Sequence, residues 1–94
     1  MSPSRRTSPT VTGLREQGFL AFRSELGIHQ RDCAERVTEG GAAIKRSTWD
    51  AWERRERPMN LDQLRGLKEG FQLSERQIVA LLQWWWADEA AAAA

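Results

Sequence analysis

The chain predicts an all-helical, compact domain of five short helices, and three observations carry that expectation. Leu14, Gly18, Phe22 and Leu26 follow one another at four-residue steps; Trp49 and Trp52 stand three apart; Ser74 and Gln77 have the spacing of a helix-capping box. No segment alternates apolar and polar residues as a strand would. At 94 residues the chain makes one small domain, whose core is limited because short chains bury a modest fraction of their surface.

The elements follow in order. Residues 1–11 are rich in Ser, Thr, Pro and Arg with almost nothing apolar, a composition that does not repay its ordering entropy. They are expected to form a flexible basic arm, a solvated tail first and, through Arg5 and Arg6, a phosphate-touching segment second. The folded domain is expected over residues 12–87. Its first helix carries the four-step stripe with Phe19 alongside, and Gly27 closes it. A second helix, at about residues 30–37, turns Cys33, Ala34 and Val37 inward. The paired glycines Gly40 and Gly41 are poor in a helix, so residues 38–43 form a loop. The Trp49/Trp52 helix is halted before Pro58. Asn60 caps a fourth helix bearing Leu61, Leu64 and Leu67, which stops near Gly70. The Ser74/Gln77 box opens a fifth through Ile78, Leu81, Leu82 and Trp85. The alanine-rich end, residues 88–94, is expected to fray.

Composition excludes several function classes. Fourteen basic and thirteen acidic residues give a formal net charge of +1, so bulk electrostatics do not favour nucleic acid and any such role rests on a local patch. The single cysteine, Cys33, excludes an internal disulfide and suits a reducing cytosol. No apolar run approaches a membrane span and the N-terminus lacks the order of a signal peptide, so a cytoplasmic protein without a membrane partner is the default. The lone histidine, His29, has no cysteines or carboxylates clustered at ligand spacing, and is expected to be a surface or capping residue. Cys33 stands where a buried aliphatic belongs. With no glycine-rich phosphate loop and no base-plus-nucleophile arrangement, neither catalysis nor any cofactor or metal is expected.

The run from Ser47 to Arg54 is the most informative segment. Trp49 and Trp52 share one helical face, while Thr48, Asp50 and Ala51 point elsewhere. A short helix anchored by large apolar groups, with a small polar outer face, suits insertion into a DNA major groove. Here the chain resembles the Xre-type helix-turn-helix family, that of the lambda-like Cro and repressor N-terminal domains. The matching residues are Phe22-Arg23, Gly27-Ile28-His29-Gln30 leading to Ala34, then Ser47, Trp49, Trp52 and Glu53, then Pro58 and the Leu-rich helix beyond. The likeness covers about residues 14–82, and its signal lies in the order and spacing of these pieces.

That resemblance implies a role for each of several residues. Gln30 would approach a backbone phosphate. Lys45, Arg46, Ser47, Thr48, Asp50 and Ala51 would lie on the turn and outer face of the recognition helix. Arg46 and Ser47 lead as base readers, Ala51 offers a methyl surface to thymine, and Asp50 would repel phosphate or accept from cytosine. Arg54, Arg55 and Arg57 would clamp phosphates and fix orientation. Arg23 and Glu53 occupy positions that in this family commonly hold a partly buried ion pair. Three departures stand out. The connection between the motif's helices, residues 38–45, is about five residues longer than usual; it would re-aim the recognition helix or touch DNA through its glycine amides. Arg55 takes a position often held by glycine, where the helix would simply continue. And the recognition helix starts either at a Ser47 N-cap paired with Asp50 or, by alignment, near Lys45.

Trp84, Trp85 and Trp86 cannot share one helix face, since consecutive residues are about 100° apart. Trp85 is expected to continue the Ile78/Leu81/Leu82 stripe inward. Ile78, Leu82, Trp84, Trp85 and Trp86 are expected to supply a homodimer interface, as the last helix often does in this family. The functional expectation is a small dimeric transcriptional regulator, a repressor of a phage, plasmid or other mobile element, bound to a double-stranded pseudo-palindromic operator. The alternative is an Xre-type antitoxin that binds a toxin and autoregulates its operon.

Overall fold

The computed structural model describes the backbone of residues 7–93 and the side chains of residues 7–87. It is all-helical and compact, with six helices rather than five and no strand among the described residues: α1 (Val11–Gln17), α2 (Leu20–Leu26), α3 (Gln30–Glu39), α4 (Arg46–Glu53), α5 (Leu61–Phe71) and α6 (Glu75–Ala93).

The additional helix arises because the expected first helix is cut in two. Gly18 adopts φ 60° and ψ −129°, a conformation open mainly to glycine, and the Trp84 ring lies where a Cβ at Gly18 would have to stand. The chain turns there, drops Phe19 into the core and restarts as α2, whose Gly27 C-cap takes the left-handed region at φ 68°. α1 itself is capped by the Thr10 hydroxyl, which accepts from the Gly13 amide at 2.9 Å.

The segment before α1 is less detached than its composition implied. Pro9 is fully buried, and its carbonyl accepts from Gln77 Nε2 at 2.6 Å. The folded body therefore begins by Pro9, and Val11 is already helical, which shortens the expected arm. Arg5 and Arg6 lie outside the described residues. At the other end α6 is helical as far as Ala93, where residues 88–94 were expected to fray.

α3 and α5 approach each other through glycine. A Cβ on Gly66 would fall 2.7 Å from the Ala42 methyl and 3.0 Å from the Val37 carbonyl oxygen, and one on Gly70 would collide with the Arg36 carbonyl. Gly70 is thus a close-approach site, and the helix stop expected near it falls one residue further on. α5 continues to Phe71 and ends where Gln72 takes φ 52°, with the Leu73 amide reaching back to the Lys68 carbonyl at 2.9 Å. The caps at its start and at the start of α6 are reciprocal: Asn60 with Gln63, and Ser74 with Gln77.

Aromatic rings fill the space these helices enclose. Trp49 meets Phe19 and Phe22 edge-on at 5.1 and 5.2 Å, Phe22 meets Phe71 at 4.6 Å, and Trp52 packs on Phe19 at 5.6 Å. Trp84, not Trp85, is the most deeply inserted of the C-terminal tryptophans. It is buried between Gly18, Phe19 and the Arg55 guanidinium, which sits 3.9 Å from its ring centroid. Trp85 is half-buried against Phe19, and Trp86 is 58 % exposed. The register differs by one residue from expectation because the Trp84 ring fills the space that the absent side chain leaves at Gly18. Among the described residues, no helix is long and apolar enough to cross a membrane.

Candidate nucleic-acid interface

The site is built around α4, and its position follows from how the flanking turns are tied. Of the connection expected at residues 38–45, the first two residues belong to α3, leaving residues 40–45. Gly40 and Gly41 donate their amides to the carbonyls of Arg36 and Thr38, both at 3.0 Å, so the glycine amides are committed to ending α3 and are not offered outward. The Thr38 hydroxyl donates to the Ala34 carbonyl at 3.0 Å and accepts from the Ile44 amide at 3.2 Å. Ala42 is buried. The longer connection is therefore pinned to the body at both ends.

Lys45 is the N-cap of α4, with extended φ −98° and ψ 162°, and its carbonyl accepts from the Thr48 and Trp49 amides. Of the two possible starts, the earlier one holds, and Ser47 lies inside the first turn as an exposed residue. The C-terminal end departs from the expectation that the helix would run on through Arg55. Arg55 takes a left-handed φ of 58°; its amide donates to the Trp52 carbonyl at 3.1 Å and the Glu56 amide to Ala51 at 2.9 Å. This pair of bonds is the Schellman closure usually built on glycine.

The inner side of α4 is held by Trp49 and Trp52, both fully buried, and by Glu53. Arg23 of α2 donates Nε to Glu53 Oε2 at 2.8 Å and Nη2 to Oε1 at 2.9 Å. The same carboxylate accepts from Trp49 Nε1 at 2.7 Å and from Gln30 Nε2 at 3.1 Å. One side chain thus ties α2, α3 and α4 together. The fully buried Cys33 lies near it, and burial together with the Glu53 charge pushes its thiol up to about 12.

The outer side of α4 is open. Lys45, Arg46, Ser47 and Arg54 are exposed, and Asp50 and Ala51 are partly so. Thr48 does not join them: it is only 8 % exposed and its hydroxyl accepts from Arg57 Nη1 at 3.2 Å, since its position in the first turn faces the segment after α4. Arg57 is otherwise at the surface, whereas Arg55 is turned away onto Trp84 and is not placed as a phosphate clamp. Gln30, at the start of α3, lies beside this face. Its Oε1 accepts from Arg46 Nη1 at 3.0 Å and its Nε2 donates to Asp50 Oδ1 at 2.8 Å. Arg54 pairs with Asp50 at 3.3 Å one turn along the helix.

No family model, curated protein or solved structure matches the chain. The chemistry of the face must therefore be taken from its own residues. It can donate several hydrogen bonds through two arginines and one lysine, present between them a hydroxyl that both donates and accepts and a methyl, and offer one carboxylate, Asp50, as acceptor. Among the described residues, no group of three metal-ligating side chains is assembled. His29 is the N-cap of α3, its amide donating to Asp32 at 3.2 Å.

What sequence reasoning missed is the Gln30 bridge. It joins residues sixteen and twenty positions apart, and no local spacing rule relates them. Of the residues expected in a dimer contact, Trp84 is buried within its own molecule; Ile78, Leu82 and Trp85 are partly covered, and Trp86 is largely exposed.

Proposed function

We propose that this chain is a sequence-specific DNA-binding regulator of the Xre helix-turn-helix type, with α3 and α4 as the motif and α4 as the element that enters the major groove. The observation that carries the reading is the two-sidedness of α4: both indoles and the Glu53 carboxylate are anchored inward, while Arg46, Ser47, Ala51 and Arg54 are left facing solvent. A helix of eight residues spans about 12 Å, short enough to lie among the base edges of one groove. Arg46 and Ser47 act as readers at its N-terminal end; Lys45, Arg54 and Arg57 supply phosphate contacts.

The acting species is a homodimer, and half-sites one helical turn, about 34 Å, or a multiple apart follow from its two-fold symmetry. Its contact centres on Trp86 with Val79 and Leu61, which are exposed along two depressions between α5 and α6 that share Leu61 and Leu64. Occupying a promoter operator in this form excludes polymerase, as a small repressor of a mobile element would. The same exposed apolar surface favours the second reading, an antitoxin that holds a toxin there and binds DNA to autoregulate.

Selection of duplexes from a randomised library tests the first reading. A single enriched, pseudo-palindromic motif is expected, with affinity falling steeply as salt rises through counterion release. Recovery of no motif, with equal weak binding to all duplexes, would end it.

A further inference from the structure

Asp50 is at first sight out of place: a carboxylate at the middle of a face meant for a polyanion. Its surroundings give it a different task. Oδ1 accepts from Gln30 Nε2 at 2.8 Å, and Oδ2 pairs with Arg54 Nη2 at 3.3 Å, so both oxygens are engaged inside the molecule. The Gln30 amide nitrogen is shared between two carboxylates, Asp50 and Glu53 at 2.8 and 3.1 Å. With both of its hydrogens spoken for, the amide has one orientation, in which Oε1 faces Arg46 Nη1 at 3.0 Å. A continuous chain of contacts results: Arg46 to Gln30 to Asp50 to Arg54.

We infer that Asp50 is a positioning residue, which sets the directions of Arg46 and Arg54 so that Arg46 meets a guanine-bearing position of a half-site while Arg54 meets a backbone phosphate beside it. The inference rests on the DNA-binding reading above. The two arginines are eight residues apart, about 12 Å along the helix, with Ser47 and Ala51 between them. Each is held through part of its guanidinium, which leaves further N–H groups, on Arg46 to pair bidentately with guanine O6 and N7 and on Arg54 to bond phosphate oxygens. A long side chain already held in place gives up less freedom on binding than one that swings freely.

The consequence has an unusual sign. Removing an acid from a DNA-facing surface strengthens attraction to any duplex. Removing this one also frees two arginines. Asp50→Asn and Asp50→Ala are therefore expected to bind a scrambled duplex about two-fold more tightly and the selected duplex roughly three- to ten-fold more weakly. Specificity falls from both sides.

The experiment takes the full chain, a duplex enriched from the randomised library and its scrambled counterpart. Dissociation constants are measured for wild type, both Asp50 variants and Gln30→Ala, each first shown folded by a melt; Asp50→Asn, the smaller change, decides the matter if Asp50→Ala unfolds. Support is a loss on the enriched duplex with a gain on the scrambled one, and relaxation in Gln30→Ala at the base positions that Arg46→Ala also relaxes. Equal tightening on both duplexes would overturn the inference, since Asp50 would then merely repel phosphate. Relaxation confined to a single cytosine would overturn it too, making Asp50 a direct reader. Enrichment of no duplex removes the DNA-binding reading and this inference together, whereas the first two outcomes leave that reading standing.

Discussion

Arg23 grips both oxygens of Glu53 from thirty residues away, at 2.8 and 2.9 Å, and the Glu53 side chain is only 6 % exposed where they meet. The carboxylate gathers two further donors, the Trp49 indole and the Gln30 amide. A buried acid with four hydrogen bonds is satisfied, but its partners depend on it. Glu53→Ala is expected to destabilise the fold by about 3 kcal/mol, because it strands a guanidinium and a buried indole N–H together. Arg23 is 38 % exposed, and water reaching it keeps the loss at the lower end of what a broken buried pair costs. Chemical denaturation of the variant beside wild type measures this; an unchanged midpoint would show that the pair is incidental.

Gly70 provides a second test, because substitution there should reverse the ordinary helix-propensity rule. Alanine in place of glycine inside a helix normally stabilises by about 1 kcal/mol. Here the added methyl would meet the Arg36 backbone carbonyl across the α3–α5 contact, and neither helix can move without disturbing the other. Gly70→Ala is expected to destabilise by about 1–3 kcal/mol, the range for overpacking a close interface. A rise in melting temperature would mean that α3 and α5 are further apart than described.

These two sites show how legibility divided. The Ser74/Gln77 box, the Asn60 cap and the inward pair Trp49 and Trp52 follow from local spacing, and each was evident in the sequence. The break at Gly18 was not, because the four-step stripe passes through it without interruption. What sets its conformation is the Trp84 ring, sixty-six positions on in the chain. Gly66 and Gly70 have the composition of helix breakers but serve helix crossing, and only tertiary packing separates the two uses. Arg55 is similar. A left-handed C-terminal position favours glycine, and the cation resting on Trp84 offsets the strain of a side chain there. At the candidate site the exposed face of α4 was legible, except for Thr48. The Gln30–Asp50–Arg54 chain was not, since it joins two helices.

Cys33 makes the fold sensitive to alkali. Its thiol is pushed up to about 12 from an ordinary value of 9.0, chiefly because burial disfavours the thiolate and secondarily because Glu53 is near. The folded state therefore holds this proton where the unfolded state has released it. That contribution to stability is complete below pH about 9 and is lost as pH rises from 9 towards 12. The chain has no tyrosine, which leaves that window comparatively clear. Wild type should lose melting temperature across it more steeply than Cys33→Ala, and the folded thiol should resist aromatic disulfide reagents until denaturant is added. Rapid labelling of the native protein would contradict the burial.

The division of labour along α4 gives the last expectation. Arg46 lies in the first turn, exposed at the end that a groove would meet first, and is steered by Gln30; Arg54 lies past the last turn and is paired with Asp50. A guanidinium on a base edge discriminates, whereas one near the backbone attracts all sequences alike. Arg46→Ala is therefore expected to weaken an enriched duplex by about 1–3 kcal/mol and to relax one base position. Arg54→Ala removes an ion-pair partner as well as a cation, so its main effect is a uniform loss on every duplex, with a salt dependence shallower by about one counterion. Binding isotherms for both variants, across salt and across single-base substitutions of the enriched duplex, separate the two. Identical profiles would place both arginines on phosphates and leave the reading of bases to Ser47 and Ala51.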